Sequence, residues 1–381
     1  MREIIEVKDK EYQRTLAELK KKNDPKSIRI LKLLELPDLT RRENSPLKFM
    51  VDAITAIPRF KDLDIIQVPE IVSTYDNFDL LNTPLDHPSR RETDTYYVSP
   101  DHVLRTHTTV MWTYYFPRED IKKKLQEKGE AGALCYGKVY RKDEIDRSHF
   151  PAFHQIDGVY LCKRDKKEIT KKDLEEVLVD VVKSIFGPKI EWRFLEDTFP
   201  FTDPSTQIEV KWGDRWLETV GAGVVHTEVL KKLGLDPKVY SGWAFGFGLE
   251  RLAMIKMNIP DIRIFWSNDE RIVSQFTSLN SIYKEVSKYP PVNRDISFIV
   301  DGKTSLNSYY EIVRDCAGDL VEETKLLDKY QDEKKFGKGK MSYTFRIIYR
   351  SHERTLTDEE VNKIQEKIRE RTVRELKAEL R

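Results

Sequence analysis

Tyr140-Arg141-Lys142-Asp143-Glu144-Ile145-Asp146, followed by His149-Phe150-Pro151-Ala152-Phe153-His154-Gln155-Ile156-Asp157-Gly158, crowds a guanidinium, carboxylates, two imidazoles, an amide and aromatic rings into one hairpin-like run. A strand that only filled a core would not need so many polar groups. Well downstream, Gly242-Trp243-Ala244-Phe245-Gly246-Phe247-Gly248-Leu249-Glu250-Arg251 sets a second arginine behind a glycine-rich turn, and Phe199-Pro200-Phe201 lies between the two stretches. Around them, the residues from about 41 to 270 read as short β-rich segments (Thr95 to Val98, Gly137 to Arg141, Gly158 to Cys162, Gln207 to Trp212, Trp216 to Val220). This pattern predicts an antiparallel sheet better than a run of βαβ units.

Helices are predicted at Lys171 to Phe186, where Leu174, Val177, Val181 and Ile185 form one stripe, and at Leu249 to Met257. Residues 1–40 are charged and helix-prone, with Ile30, Leu33 and Leu34 at helical spacing before Pro37, and are expected to be a helical extension without chemistry of its own. Residues 271–288 read as a linker leading to Tyr289-Pro290-Pro291, where consecutive prolines exclude helix. The remainder, 289–381, is predicted as strand Asp295 to Val300, helix Ser305 to Asp315, strands Leu320 to Leu327 and Met341 to Tyr349, and helix Thr357 to Leu380. That last helix is opened by a Thr357/Glu360 capping box. Val361, Ile364, Ile368 and Leu376 lay its apolar stripe on the sheet, a β-α-β-β-α order of ferredoxin-like type.

The chain of 381 residues has room for two or three domains, and 39% hydrophobic residues suit a globular protein. Lys+Arg 66 and Asp+Glu 65 nearly cancel, so a nucleic-acid partner would have to be held by a local basic face. Cys135, Cys162 and Cys316 are widely spaced and form no CxxC pair, which argues against a disulfide framework and a zinc site and for a reducing compartment. No apolar run approaches the roughly 20 residues needed to span a bilayer. Met1 to Lys22 mixes acids with bases, unlike an organelle presequence, so either there is none or it has been removed.

Arg141 and Arg251 suit phosphate, because a planar guanidinium donates two parallel hydrogen bonds and stays charged at any relevant pH. Arg251 follows a turn whose glycines allow close backbone approach and sits near a helix start, where the dipole favours anions. There is no GxxxxGK[ST] loop, and Gly221-Ala222-Gly223 lacks the third glycine of a dinucleotide fingerprint. Phe199 and Phe201 flank Pro200, so an extended backbone points both rings to one side, where they could clamp a flat apolar ligand or merely fill a core. Ala244, small among large aromatics, leaves a hole that a ligand could occupy. The spacings of His107, His149, His154 and His226 match no metal motif, and no GxSxG elbow supports a hydrolase.

These motifs, in this order, resemble those of class II aminoacyl-tRNA synthetases, and among them the single-chain phenylalanyl-tRNA synthetases of mitochondria. The resemblance runs from about Asp86-His87-Pro88-Ser89-Arg90 to the C-terminus and includes Leu104-Arg105-Thr106-His107-Thr108, the Arg141 hairpin (motif 2), Thr198-Phe199-Pro200-Phe201-Thr202, Trp216-Leu217-Glu218, the stretch ending at Arg251 (motif 3) and Tyr289-Pro290-Pro291-Val292-Asn293-Arg294-Asp295. It implies an α+β fold: a class II catalytic domain over 41–270, built on an antiparallel sheet flanked by helices, and a ferredoxin-like anticodon-binding domain over 289–381. It further implies an ATP- and Mg2+-dependent ligase that makes phenylalanyl-adenylate and transfers it to tRNA(Phe), as a monomer in the mitochondrial matrix. Arg141 would contact the α-phosphate and Arg251 the γ-phosphate. Phe153 would stack on adenine, Asp143, Ser148, His149 and Phe150 would line the nucleotide, and Glu218 would hold it or its Mg2+. Gln155 and Asp157 would take the α-amino group beside His107, Thr109, Val110, Met111, Trp112 and Ile156, and Phe199, Phe201 and Phe245 would surround the ring over Ala244 and Gly246.

The basic loop Lys334-Lys335-Phe336-Gly337-Lys338-Gly339-Lys340 and the last helix, with seven Lys/Arg against four Asp/Glu from Val361 onward, would meet RNA phosphates. The chain departs from the family pattern at Met111-Trp112, where His-Gln is expected, at Thr109 in place of Ser and at Asp157 in place of Glu. Two alternatives stay open at this point: an RNA-binding paralogue that no longer charges tRNA, and a synthetase for another aromatic amino acid.

Overall fold

The computed structural model describes residues 2–286, 289–351 and 353–381; Met1 of the expected extension and Ser287 and Lys288 of the expected linker lie outside the described residues. The chain divides into two units, 1–140 with 152–259 and 273–283, and 141–151 with 260–272 and 284–381.

The first unit is built on an eight-stranded sheet of strands β1 (Ile4–Glu6), β2 (Asp64–Gln67), β3 (Glu130–Tyr140), β4 (Ala152–Lys163), β5 (Trp192–Phe199), β6 (Thr202–Trp212), β7 (Arg215–Val225) and β8 (Tyr240–Gly248), in the order β1-β2-β3-β4-β8-β7-β6-β5. The strands from β3 to β5 in this order pair antiparallel, whereas β1 and β2 add a parallel edge. The sequence therefore foretold the antiparallel body but not the mixed edge. The N-terminal segment opens with β1, the edge strand of the main sheet, before its helices α1 (Lys10–Leu19) and α2 (Pro25–Glu35), which corrects the expectation that it is helical throughout. Three residues of strand carry too weak a periodicity to be seen in sequence.

The helices that follow are α3 (Pro46–Thr55), α4 (Met111–Tyr115), α5 (Glu119–Lys128), α6 (Lys171–Phe186), α7 (Thr227–Lys232) and α8 (Leu249–Met257). On α6 the stripe Leu174, Val177, Val181 and Ile185 is at most 1% exposed. Its start is fixed by a reciprocal capping box between Thr170 and Asp173.

In the second unit, β9 (Val292–Asp301), α9 (Leu306–Ala317), β10 (Val321–Tyr330), β11 (Lys340–Tyr349) and α10 (Asp358–Leu376) follow in the order read from the sequence, and β12 (Glu379–Leu380) adds a fourth strand in the order β10-β11-β9-β12. Lys377 adopts a left-handed conformation that ends α10 before the expected Leu380. The Thr357 hydroxyl accepts from the Glu360 N–H while Glu360 reaches back to Thr357.

Residues 141–151, inside the stretch 41–270 read as the catalytic domain, pack with this second unit. Ile145 is 4% exposed within its core beside Tyr310, Val321 and Phe345. Thr324 N–H donates to the Ile145 carbonyl at 2.6 Å, and Arg314 donates to the carbonyls of Asp143 and Glu144 at 2.6 Å each. Buried Glu322 pairs with both Arg147 and Arg350.

Candidate active site

The β-sheet register decides which side chains share a surface. Gly246 faces Asp157, Gly248 faces Gln155, and Gly221 faces Gly246. Since alternate residues point to the same side, Gln155, Asp157, Ala244, Gly246, Gly248, Gly221 and Gly223 pave one face of the first unit. Most of that floor has no side chain, which leaves room for other groups to lie flat on it. A Cβ added at Gly221 would stand 2.6 Å from Phe199 Cζ, and one at Gly246 would stand 2.6 Å from Asp157 Oδ1. Glycine is required at both because something already occupies the place of its side chain.

Asp157 is 4% exposed, and both carboxylate oxygens are engaged: Thr108 Oγ1 donates to Oδ1 at 2.6 Å and Thr109 Oγ1 donates to Oδ2. Gln155 Oε1 accepts from the Thr108 N–H at 3.3 Å. The turn Thr108–Val110, the first turn leading into α4, thus holds the acceptors of β4 in place. Thr108 was not among the expected site residues. Its signal was a hydroxyl next to Thr109, ahead of an apolar helix, but nothing in sequence distinguished it from a helix-capping threonine.

Above this polar patch, Phe199 and Phe201 stack nearly parallel, with centroids 6.1 Å apart and planes at 10°. His107 approaches Phe201 at 6.2 Å, and Trp112 meets it edge-on at 5.8 Å and 79°. Trp112 is 1% exposed, and its indole Nε1 has no partner among the described residues. Val110 and Met111 are 0% exposed and belong to the core together with Ala244.

Two expectations are corrected here. Phe245 does not wall this pocket: it pairs with Gly158, points to the opposite face and stacks on Phe60 at 5.5 Å and 22°. Adjacent strand residues cannot both face one ligand, so Ala244 and Phe245 part company. Ile156 is excluded for the same reason, since it alternates with Gln155 and Asp157 and is 0% exposed.

At the end of β8, Gly248 caps α8, where Arg251 is exposed and Glu250 is buried. Phe153, half-buried, brings ring carbons 3.8 Å from where a Cβ at Gly248 would be. Glu218 is exposed and faces Glu209 on β6, whose own carboxylate accepts from Arg193 Nε at 2.7 Å. Among the described residues no three His, Cys, Asp or Glu gather as a metal cluster. A Mg2+ bound chiefly by a nucleotide's phosphates and one carboxylate would need no such cluster, and exposed Glu218 fits that role.

The remaining expected residues lie on the loop of the second unit. Asp146 accepts from the N–H groups of Ser148 and His149 at 2.6 and 2.8 Å and meets His149 Nδ1 at 2.8 Å. Burial alone would raise the Asp146 carboxyl, but the bonds from His149 and Ser148 outweigh it and hold it down at about 2. The same bond raises the His149 imidazole above its ordinary 6.5. The Phe150 ring stacks on Trp266 at 5.3 Å and 29°, which props the loop. Arg141 is exposed, and Asp143 caps the Glu144 N–H at 2.9 Å.

Comparison with known proteins gives two family matches: residues 33–276 match the tRNA synthetases class II core domain (F), and residues 287–381 match the ferredoxin-fold anticodon binding domain. The chain is 41% identical to the chloroplastic/mitochondrial phenylalanine–tRNA ligase of Arabidopsis thaliana over 90% of this chain and 80% of that one. It is 36% identical to the mitochondrial phenylalanine–tRNA ligase of Mus musculus, covering 89% and 79%. With that of Saccharomyces cerevisiae it shares 32% over 95% and 94%. A polar grip on β4, an aromatic stack above a glycine floor and an arginine at the start of α8 are thus set in a chain that belongs to the phenylalanine–tRNA ligase family of class II aminoacyl-tRNA synthetases.

Proposed function

We propose that the protein activates phenylalanine with ATP, forms phenylalanyl-adenylate and transfers the acyl group to tRNA(Phe). The observation that carries this reading is the Asp157–Thr108–Thr109–Gln155 cluster beneath the Phe199/Phe201 stack. It offers carbonyl and carboxylate acceptors for an ammonium next to an aromatic slot. An ammonium donates and cannot accept, so an acceptor-rich floor selects the α-amino end of an amino acid and leaves its ring for the slot.

Arg251 holds the γ-phosphate end of ATP and Phe153 stacks on adenine; by family resemblance, the Arg141 guanidinium suits the negative charge that develops at an α-phosphate as the phenylalanine carboxylate attacks. No side chain acts as nucleophile, so rate comes from alignment and charge stabilisation. Mg2+ at Glu218 would neutralise the leaving pyrophosphate. The C-terminal unit takes the tRNA anticodon region. The protein works as a monomer in the mitochondrial matrix, as the single-chain organisation and the organellar names of its relatives support.

ATP–pyrophosphate exchange with each amino acid in turn, without tRNA, tests this reading. Exchange driven by phenylalanine, and more weakly by tyrosine because an apolar slot rejects an added hydroxyl only about a hundredfold, supports it. Exchange with none, in folded protein, points to an RNA-binding paralogue, and preference for another amino acid overturns the pocket.

A further inference from the structure

We infer that Glu250 and His154 form a positioning pair that sets Arg251 relative to the strand carrying Phe153 and Gln155. The inference rests on the reading above that Arg251 and Phe153 hold ATP.

Both partners are buried, His154 at 0% and Glu250 at 2% exposure. The Glu250 carboxylate accepts the His154 backbone N–H at 2.9 Å on each oxygen, and its Oε1 lies 2.7 Å from His154 Nδ1. The other ring nitrogen, Nε2, accepts the Leu39 N–H at 3.0 Å. A neutral imidazole that accepts at Nε2 carries its proton on Nδ1, so Nδ1 donates to the carboxylate. Three segments meet on this one ring: strand β4, the first turn of α8, and the turn at Leu39. Asp38 in that turn accepts from the Thr40 N–H at 3.0 Å and pairs with Arg41. A segment expected to be free of chemistry thus backs the catalytic strand.

Two apolar side chains of similar volume would hold these elements together without the cost of desolvating a carboxylate. What they would lack is direction, because apolar contacts tolerate sliding and hydrogen bonds weaken steeply with angle. The direction matters for what lies beside each partner. His154 directly follows Phe153 on β4, so pinning its side chain on one face orients the Phe153 ring on the other, whereas Gln155 is held separately by the Thr108 N–H. Glu250 directly precedes Arg251, about 100° away around the helix, so pinning Glu250 sets the angle at which the guanidinium leaves α8. The pair therefore couples the adenine side of the site to its γ-phosphate side without touching either substrate.

The test is ATP–pyrophosphate exchange on the full chain, with KM measured separately for ATP and phenylalanine and active sites counted by adenylate burst. Glu250→Gln keeps volume but turns an acceptor into a donor facing the His154 N–H. His154→Asn keeps a donor near the Nδ1 position and gives up the Leu39 bond; His154→Gln places its amide near Nε2 and gives up the Glu250 bond. If the pair positions Arg251, Glu250→Gln and His154→Gln raise KM for ATP by roughly 10- to 100-fold, the scale set by a misplacement of about 1 Å. The KM for phenylalanine stays within about twofold, and His154→Asn stays near wild type, in the KM-against-kcat sense. A purely structural role would lower the active fraction and leave KM for ATP unchanged in every variant, which overturns the inference; equal rises in both KM values overturn it too. Arg251→Ala is run alongside. If it leaves KM for ATP unmoved, the assignment of the phosphate site is what fails; if it raises KM while the pair variants do not, only the pair is wrong.

Discussion

Gly246 shows how much a single position decides at the residue scale. Its missing side chain is where the Asp157 carboxylate sits, so Gly246→Ala has to push that carboxylate off the Thr108 and Thr109 hydroxyls. Losing a charge-assisted hydrogen bond costs about 1.5–3 kcal/mol, so phenylalanine KM in the exchange assay should rise at least roughly tenfold while ATP KM changes little. Ala244 shares the glycine-paved face and lies in the same core as Trp112 and Phe201. Ala244→Gly deepens the slot, and the enzyme should then accept para-substituted phenylalanines; unchanged discrimination among such analogues in the exchange assay would refute that placement. Ala244 and Gln155 stand out in sequence because small size and an amide in a strand are local facts. Phe245 was carried over as part of the aromatic wall from the family resemblance, where strand alternation, a local fact, already forbade it.

The loop 141–151 carries its own electrostatic signature at the scale of elements. The Asp146 carboxyl is held at about 2 against an ordinary 3.8, and the His149 imidazole is raised above 6.5. A lowered carboxyl stabilises above its ordinary value and loses that as pH falls through about 2. A raised imidazole stabilises fully below 6.5 and loses that as pH climbs through its folded value. The pair therefore contributes most between about pH 4 and 6.5. Denaturant midpoints of wild type and His149→Gln should differ most in that window and converge as pH climbs above it; a gap that widens with pH would contradict the assignment. The capping box of α10 is a second element-level case: Thr357→Ala should cost about 1 kcal/mol in equilibrium unfolding of the C-terminal unit, because the Glu360 N–H loses its acceptor. That helix start was readable from Thr357 and Glu360 alone. The parallel pairing of Ile4–Glu6 with Asp64–Gln67 was not, because a three-residue strand is chosen by the distant strand it meets.

For the whole molecule, RNA binding has to come from local cations, since the total charge nearly cancels. Three of the five cations of α10 are paired: Lys363 with Glu359, Arg371 with Glu375 and Asp315, and Arg374 with Glu375. Lys334 and Lys335, on the short helix Glu333–Phe336, and Lys338 after it are exposed ahead of β11, and this connection is the better candidate for phosphate contact. Replacing these three with alanine should lower kcat/KM for tRNA and flatten its salt dependence by about one unit of slope per lost contact. Amino-acid activation without tRNA should be untouched; loss of exchange activity would assign the loop to the catalytic step instead.

Local chemistry and periodicity carried most of the architecture. The stripe of α6, the capping boxes, the proline entrance to the second domain and the order of β9 to α10 all rest on neighbours within a few residues. The arginines, Gln155 and Asp157 stood out as polar groups that no core strand requires. What only tertiary structure decided depends on partners far apart in sequence: the sheet face that separates Ala244 from Phe245, Thr108 closing over Asp157, Ile145 drawing its loop into the second core, and His154 binding Glu250 and Leu39. Each is set by which strand lies beside which and by the need of buried polar groups to find partners, and neither condition exists until the chain has folded.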